Sequence, residues 1–262
     1  MLYFDLINPY ITYMLIILLF AFSIYAIFTK RYFITKHKNI IFIIVMVLLI
    51  WTQIARYIGV FFDHDTEWSV GVFNFRIIAF TWTTHLPFYI CRLSVLVLLY
   101  YVITKDKRVE SFLFYWGATG LAGILYPNGD IQNIFKLTET FYIDHFFLGL
   151  TPFFLVVYQG YRPSRKDLFI ITGLMFVILA AFIPINNIIN SITSHIEDIE
   201  KADYFYVNEQ SIVRVVFGEL PSMVFVFIHT SVALGFFSIY YFLFRNKVYE
   251  IKFFIFHFFL NK

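Results

Sequence analysis

Residues 85–102 read HLPFYICRLSVLVLLYYV. From Leu93 onward the run is almost wholly apolar, and with its flanks it reaches the ~20 residues that a helix needs to cross a bilayer. It also holds the chain's single cysteine, Cys91, directly before Arg92. Read as a membrane helix, this stretch sets the fold class. The lone thiol inside it sets the functional question.

The composition points the same way. The chain has 262 residues, 60% of them hydrophobic and only 14% charged, with a mean hydropathy of +0.76. A soluble domain carries roughly 25% charged residues, so the pattern is that of a polytopic membrane protein. One cysteine excludes an intrachain disulfide framework. The formal charge of +3 is small, and no nucleic-acid partner is expected. The first apolar segment follows Asp5 without a Lys or Arg and lacks a small-residue cleavage site, so it reads as a retained helix.

The expected fold is all-α, a single bundle of seven transmembrane helices. The spans fall near 10–28, 39–61, 84–104, 110–126, 140–160, 168–185 and 221–244. Backbone polar groups in lipid must be satisfied within the segment, which makes each span helical. The fourth ends at Pro127-Asn128-Gly129, a turn signal.

Alternate loops carry opposite charge. Lys30, Arg31, Lys36 and Lys38 follow the first span; Lys105, Lys107 and Arg108 follow the third. Arg162, Arg165 and Lys166 follow the fifth; Arg245, Lys247 and Lys252 follow the seventh. The intervening loops hold Asp63, Asp65 and Glu67, then Asp130, then Glu197, Asp198, Glu200 and Asp203. Basic residues favour the cytoplasmic side, so the N-terminus is expected outside and the C-terminus in the cytoplasm of a multi-pass cell-membrane protein.

Two outer segments are more than connectors. Residues 71–83 are apolar but interrupted by Asn74 and Arg76. Residues 185–220 form an outer loop. Within it Ile188, Ile192, Ile196 and Ile199 recur at helical spacing, which suits a helix in the outer interface, packed on the rim or lidding a cavity. The tail 248–262 is amphipathic and too short to span.

With this orientation the polar residues gather at one depth. Cys91 is expected about 10 Å below the outer end of the third span and His145 about 8 Å below that of the fifth. Gln53 and Arg56 lie in the outer third of the second span. Arg92 and Asp144 flank the pair, Asn128 and Asp130 cap the fourth span, and Glu219 and His229 open the seventh. Ionisable residues in a span face a cavity or a partner, so an outward-opening polar pocket is expected. Plainer readings stand beside this one. Cys91 can be a small buried hydrophobe, His145 a hydrogen-bonded structural residue, and Arg56 an outward snorkel. Arg92 points about 100° away from Cys91 on a helix, so it suits Asp144, Glu219 or a phosphate better than the thiol. Asp63, His64 and Asp65 read as a solvated loop, and neither a metal site nor a cofactor is expected.

HLPFYICRLS, then YWGATGLAGILYPNGD (115–130), HFFLGLTPF (145–153) and ADYFYV (202–207) resemble, in order and spacing, the YwaF family of bacterial integral membrane proteins. That family is similar to eukaryotic transmembrane acyltransferases that move acyl chains between phospholipids with a Cys and a His. The resemblance implies Cys91 as nucleophile, His145 as its base, and Tyr204 as part of an outer motif. The bacterial relatives often have histidines where this chain has Tyr89 and Leu150, and an asparagine where it has Asp203.

Membrane lipids are therefore the expected partners. The leading expectation is a phospholipid acyltransferase or acyl hydrolase working near the outer leaflet, with Arg56, Arg92, Asn128, Tyr204, Glu219 and His229 around the substrate. The rivals are a non-enzymatic transporter or binding subunit and a seven-helix sensor or assembly factor. No midplane Asp or Glu and no internal repeat favours transport.

Overall fold

The computed structural model describes residues 9–29, 31–61, 66–70, 73–77, 89–125, 139–195, 201–202 and 221–246. Each of the seven expected apolar segments falls on a helix. In chain order these are α1 (Pro9–Thr29), a short α2 (Arg31–Lys36) in the first basic loop, α3 (Lys38–Tyr57), α4 (Ile90–Thr104), α5 (Glu110–Leu125), α6 (Glu139–Phe154), α7 (Arg165–Thr193) and α8 (Ser222–Phe244). A 3₁₀ turn, Ile58–Phe61, extends α3, and a π turn, Leu155–Gln159, extends α6.

Two of the helices, α7 and α8, are long and apolar enough to cross a membrane by length and composition. Shorter apolar runs occupy α1, α3 and α4. The outward faces carry large apolar side chains, among them Leu18 and Phe22 on α1, Val47 on α3, Val177 on α7 and Phe227 on α8, all more than half exposed. So much uncovered apolar surface belongs in lipid rather than water.

The outer segments differ from expectation. The expected sixth span and the start of the expected interfacial helix at 185 are one continuous helix, α7, of 29 residues. At 1.5 Å per residue it is about 44 Å long, more than the hydrocarbon core requires. Pro184 lies inside it without ending it. Beyond that proline, Thr193 Oγ1 donates to Ile189 O at 2.9 Å, while Ile188 and Ile192 face outward. Asn190 then clamps the returning chain: its Nδ2 donates to Ala202 O at 3.0 Å, and Ala202 N donates to its Oδ1 at 2.6 Å. Part of the expected 71–83 segment is instead a strand. Thr66–Val70 (β1) and Phe73–Ile77 (β2) pair antiparallel with Thr66 opposite Ile77. Aromatic and β-branched residues at alternating positions favour that pairing over a helix. The 248–262 tail lies outside the described residues.

The core is centred on α5, where Leu113, Phe114, Tyr115, Trp116 and Ala118 are all fully buried. A helix with six consecutive buried residues, 113–118, belongs in the middle of a bundle, and α5 packs on α4, α6, α7 and α8. Its closest neighbour is α6. Gly117, Gly120 and Gly123 recur every third residue and form one stripe. A methyl group at Gly120 would lie 2.5 Å from Gly149 N and 2.8 Å from His145 O; one at Gly117 would lie 3.0 Å from Leu148 O. The two backbones therefore touch, as small residues allow in membrane bundles. Pro152, inside α6, has no N–H to give Leu148 O, and Gly117 lies against that oxygen.

The α6–α7 connection is tied down by local bonds. Gly160 takes φ +70 at the end of the π turn. Ser164 and Asp167 form a reciprocal capping box at the start of α7. The Tyr161 hydroxyl donates to Asp167 Oδ2 at 3.3 Å. Burial, with the Asp167 charge beside it, pushes Tyr161 ionisation well above its ordinary range.

Glycine substitutions separate this contact from mere helix propensity. Gly120→Ala is expected to destabilise the protein by about 1–3 kcal/mol through backbone overpacking. Gly235→Ala on α8, where an added methyl meets nothing within 4 Å, is expected to be neutral or stabilising by about 0.5–1 kcal/mol. Unfolding in detergent checks both; equal effects would refute the close approach.

Candidate functional site

Cys91 sits closer to its helix start than the sequence implied. Tyr89 is extended (φ −95, ψ 147) and caps α4, whose first helical residue is Ile90. Leu93 N donates to Tyr89 O at 2.9 Å, closing the first turn around the cysteine. The expected placement, seven residues into a span beginning at 84, is thus corrected to the second residue of the helix. The extended backbone of Tyr89 (ψ 147) interrupts the helical ladder there, so α4 starts at Ile90. First-turn N–H groups have no intrahelical acceptor, and the helix dipole favours negative charge there. Cys91 is partly buried against the hydrophobic core. Ser94, Val95 and Leu98, all buried, continue its stripe at i+3, i+4 and i+7.

His145 lies six residues into α6, about 9 Å along the axis. It is 6% exposed, and Asp144 beside it is 2% exposed. Its ring rests on Gly123, the last glycine of the α5 stripe. A methyl group at Gly123 would fall on the imidazole Cδ2 and within 2.6 Å of Nε2. The stripe that brings the α5 and α6 backbones together therefore ends in a recess shaped for this ring. Helix α4 packs against both α5 and α6, so the helix carrying Cys91 adjoins the one carrying His145.

Of the other expected site residues, Arg92 and His229 have described side chains. The Arg92 guanidinium stacks over the Tyr89 ring, 4.7 Å from its centroid, a cation–π contact across the cap of α4. That contact turns Arg92 away from the Cys91 stripe. His229 Nδ1 faces Phe225 O at 2.9 Å, one turn back on α8. A carbonyl only accepts, so Nδ1 carries the hydrogen and the ring is tied to its own helix. Arg56 is in the last turn of α3, its side chain outside the described part. Asn128, Asp130, Tyr204 and Glu219 also lie outside the described residues, as do Asp63, His64 and Asp65. Gln53 donates to Thr52 Oγ1 at 3.2 Å.

What sequence reasoning missed is the glycine stripe. Its signal was present in GATGLAG at 117–123, where small residues recur at helical spacing, but spacing alone does not name the partner helix.

Removing the recess is expected to displace the histidine. Gly123→Ala should raise the carbethoxylation of His145 by diethyl pyrocarbonate, followed by peptide mass spectrometry, while leaving overall helicity intact. An unchanged modification rate would show that Gly123 does not fix the ring.

The TMEM164 family model matches residues 6–241. No curated protein and no solved structure matches the chain.

Proposed function

From the premise that the chain belongs to the TMEM164 family, a family of transmembrane proteins, we propose that it is a multi-pass membrane acyltransferase acting on lipid esters with Cys91 as nucleophile and His145 as base. The observation that carries this reading is the recess at Gly123. The close-packed α5–α6 contact leaves buried space for one imidazole, beside the helix whose first turn holds the only thiol.

The topology proposed is seven spans with the N-terminus outside and the C-terminus in the cytoplasm. The charge alternation of the loops supports it. A C-terminal green fluorescent protein fusion is then expected to fluoresce and a C-terminal alkaline phosphatase fusion to stay inactive. The reverse pattern would invert the orientation.

In the proposed reaction the Cys91 thiol gives its proton to His145, and the thiolate attacks the ester carbonyl of a phospholipid. A thioester forms, and the lysolipid oxygen leaves with the proton from His145. The hydroxyl of a second lysolipid then passes its proton to His145 and attacks the thioester. The new ester departs and the proton returns to the thiolate. First-turn N–H groups of α4 favour the anionic stages. Water in place of the acceptor would make the same steps a hydrolysis.

Substituting the pair tests the reading. Cys91→Ala is expected to abolish acyl exchange between labelled phosphatidylcholine and a lysolipid in proteoliposomes. His145→Gln is expected to lower the rate about a hundredfold or more. Exchange at the wild-type rate in Cys91→Ala would remove the cysteine from the mechanism.

A further inference from the structure

A second feature lies on the C-terminal half of α4, from Leu98, seven residues or about 10 Å beyond Cys91, to Lys105 at the helix end. A cavity of about 250 Å³ opens between α1, α2, α3, α4 and α6. Its walls are apolar, formed by residues such as Ile27, Ile34, Phe42, Leu98, Val102 and Phe154. The hydroxyls on the wall are already engaged. Ser23 donates to Leu19 O at 2.8 Å, Thr151 to Phe147 O at 2.7 Å, and Tyr101 to Glu110 Oε1 at 3.1 Å. The cavity therefore offers contact to methylenes and no hydrogen bond to a polar group.

A cation stands at its edge. Leu98, Tyr101 and Val102 line the cavity, and Lys105 follows them at i+7 from Leu98, on the same stripe. Lys105 is the only non-glycine residue at positive φ among the described residues (φ 57). Its N–H closes α4 on Tyr101 O at 2.8 Å. This backbone turns the ammonium onto Phe42, a cavity wall, 3.1 Å from the ring centroid. Partial burial there lowers the Lys105 pKa from its ordinary value. The nearby carboxylates are committed elsewhere. Asp106 receives Arg108 Nη2 at 2.7 Å and the Tyr100 hydroxyl at 2.9 Å, and Glu110 receives Tyr101.

We propose that this cavity and Lys105 together bind one anionic phospholipid, an acyl chain lying among α1, α3, α4 and α6 and the headgroup phosphate resting on the ammonium. The two halves require one amphiphile. The cavity accepts any acyl chain, and the cation selects a lipid with net negative charge. The site is separate from Cys91 and stands whether or not the acyl-transfer chemistry does.

Native mass spectrometry of the full-length protein in detergent, with equimolar phosphatidylglycerol and phosphatidylcholine of identical chains, tests it. The wild type is expected to retain phosphatidylglycerol over phosphatidylcholine by roughly fivefold, the effect of one lysine near an anionic surface. Lys105→Asn, which tolerates the positive φ, is expected to lose that preference, and Lys105→Arg to keep it. Ala26→Phe, or Ser23→Leu if that variant misfolds, is expected to reduce retention of both lipids. Equal retention by the wild type, or an undiminished preference in Lys105→Asn, would overturn the proposal. So would sodium oleate displacing phosphatidylglycerol at equal concentration.

Discussion

The contact on which the rest of the structure depends is the backbone approach of α5 and α6. Three glycines on α5 leave no side chain between the helices, so Leu148 O, Gly149 N and His145 O of α6 lie where Cβ atoms would otherwise be. In lipid there is no water to expel from between helices, and packing of this kind is what holds them together. The same contact leaves room for Pro152 and lets α6 run on into its π turn. Gly149 extends it on α6, where the Phe20 ring of α1 and Leu121 N of α5 fill the space that a side chain would take. Three helices are thus registered against one another through three glycines of α5 and Gly149 of α6.

This registration has a chemical consequence. A histidine at the first or second turn of α6 is carried to a fixed depth and given a floor at Gly123. The cysteine gains its setting from a different constraint, the start of α4 at Ile90, which puts a thiol in the first turn, at the positive end of the helix dipole. Neither feature alone distinguishes a reactive residue from a packed one. Their placement on adjoining helices of a family of membrane proteins is what makes the acyl-transfer reading worth testing. The far end of α4 is built differently, with an apolar cavity and a cation at its edge, so the bundle offers distinct surroundings at its two ends.

Much of the fold was legible in the sequence because hydropathy and length determine where helices lie in lipid. All seven expected segments fall on helices, with ends shifted by a few residues where turns extend them. The chief departures came from short-range chemistry that hydropathy does not register. The extended Tyr89 starts α4 at Ile90 and puts Cys91 in its first turn. The Ile188 and Ile192 pattern extended α7 rather than beginning a separate interfacial helix, since Pro184 removes one hydrogen bond and the remaining ladder suffices. The aromatic alternation of Phe73–Ile77 made a strand within a segment read only as apolar. At the site, Cys91 and His145 were visible as candidates by residue type and position. The partner of His145 was not, because a glycine's role is defined by what approaches it. Arg92 was expected to suit a carboxylate or phosphate, and its guanidinium also lies over Tyr89, three residues away, a contact that charge patterning does not reveal.

The most direct measurement is mass-spectrometric trapping of the covalent intermediate. The purified protein is mixed with vesicles of phosphatidylcholine, quenched in acid and digested. The expected result is a Cys91 peptide heavier by one acyl chain, with the added mass removed by neutral hydroxylamine, as a thioester requires. An unmodified Cys91 peptide in protein that is actively exchanging acyl chains would contradict the central claim.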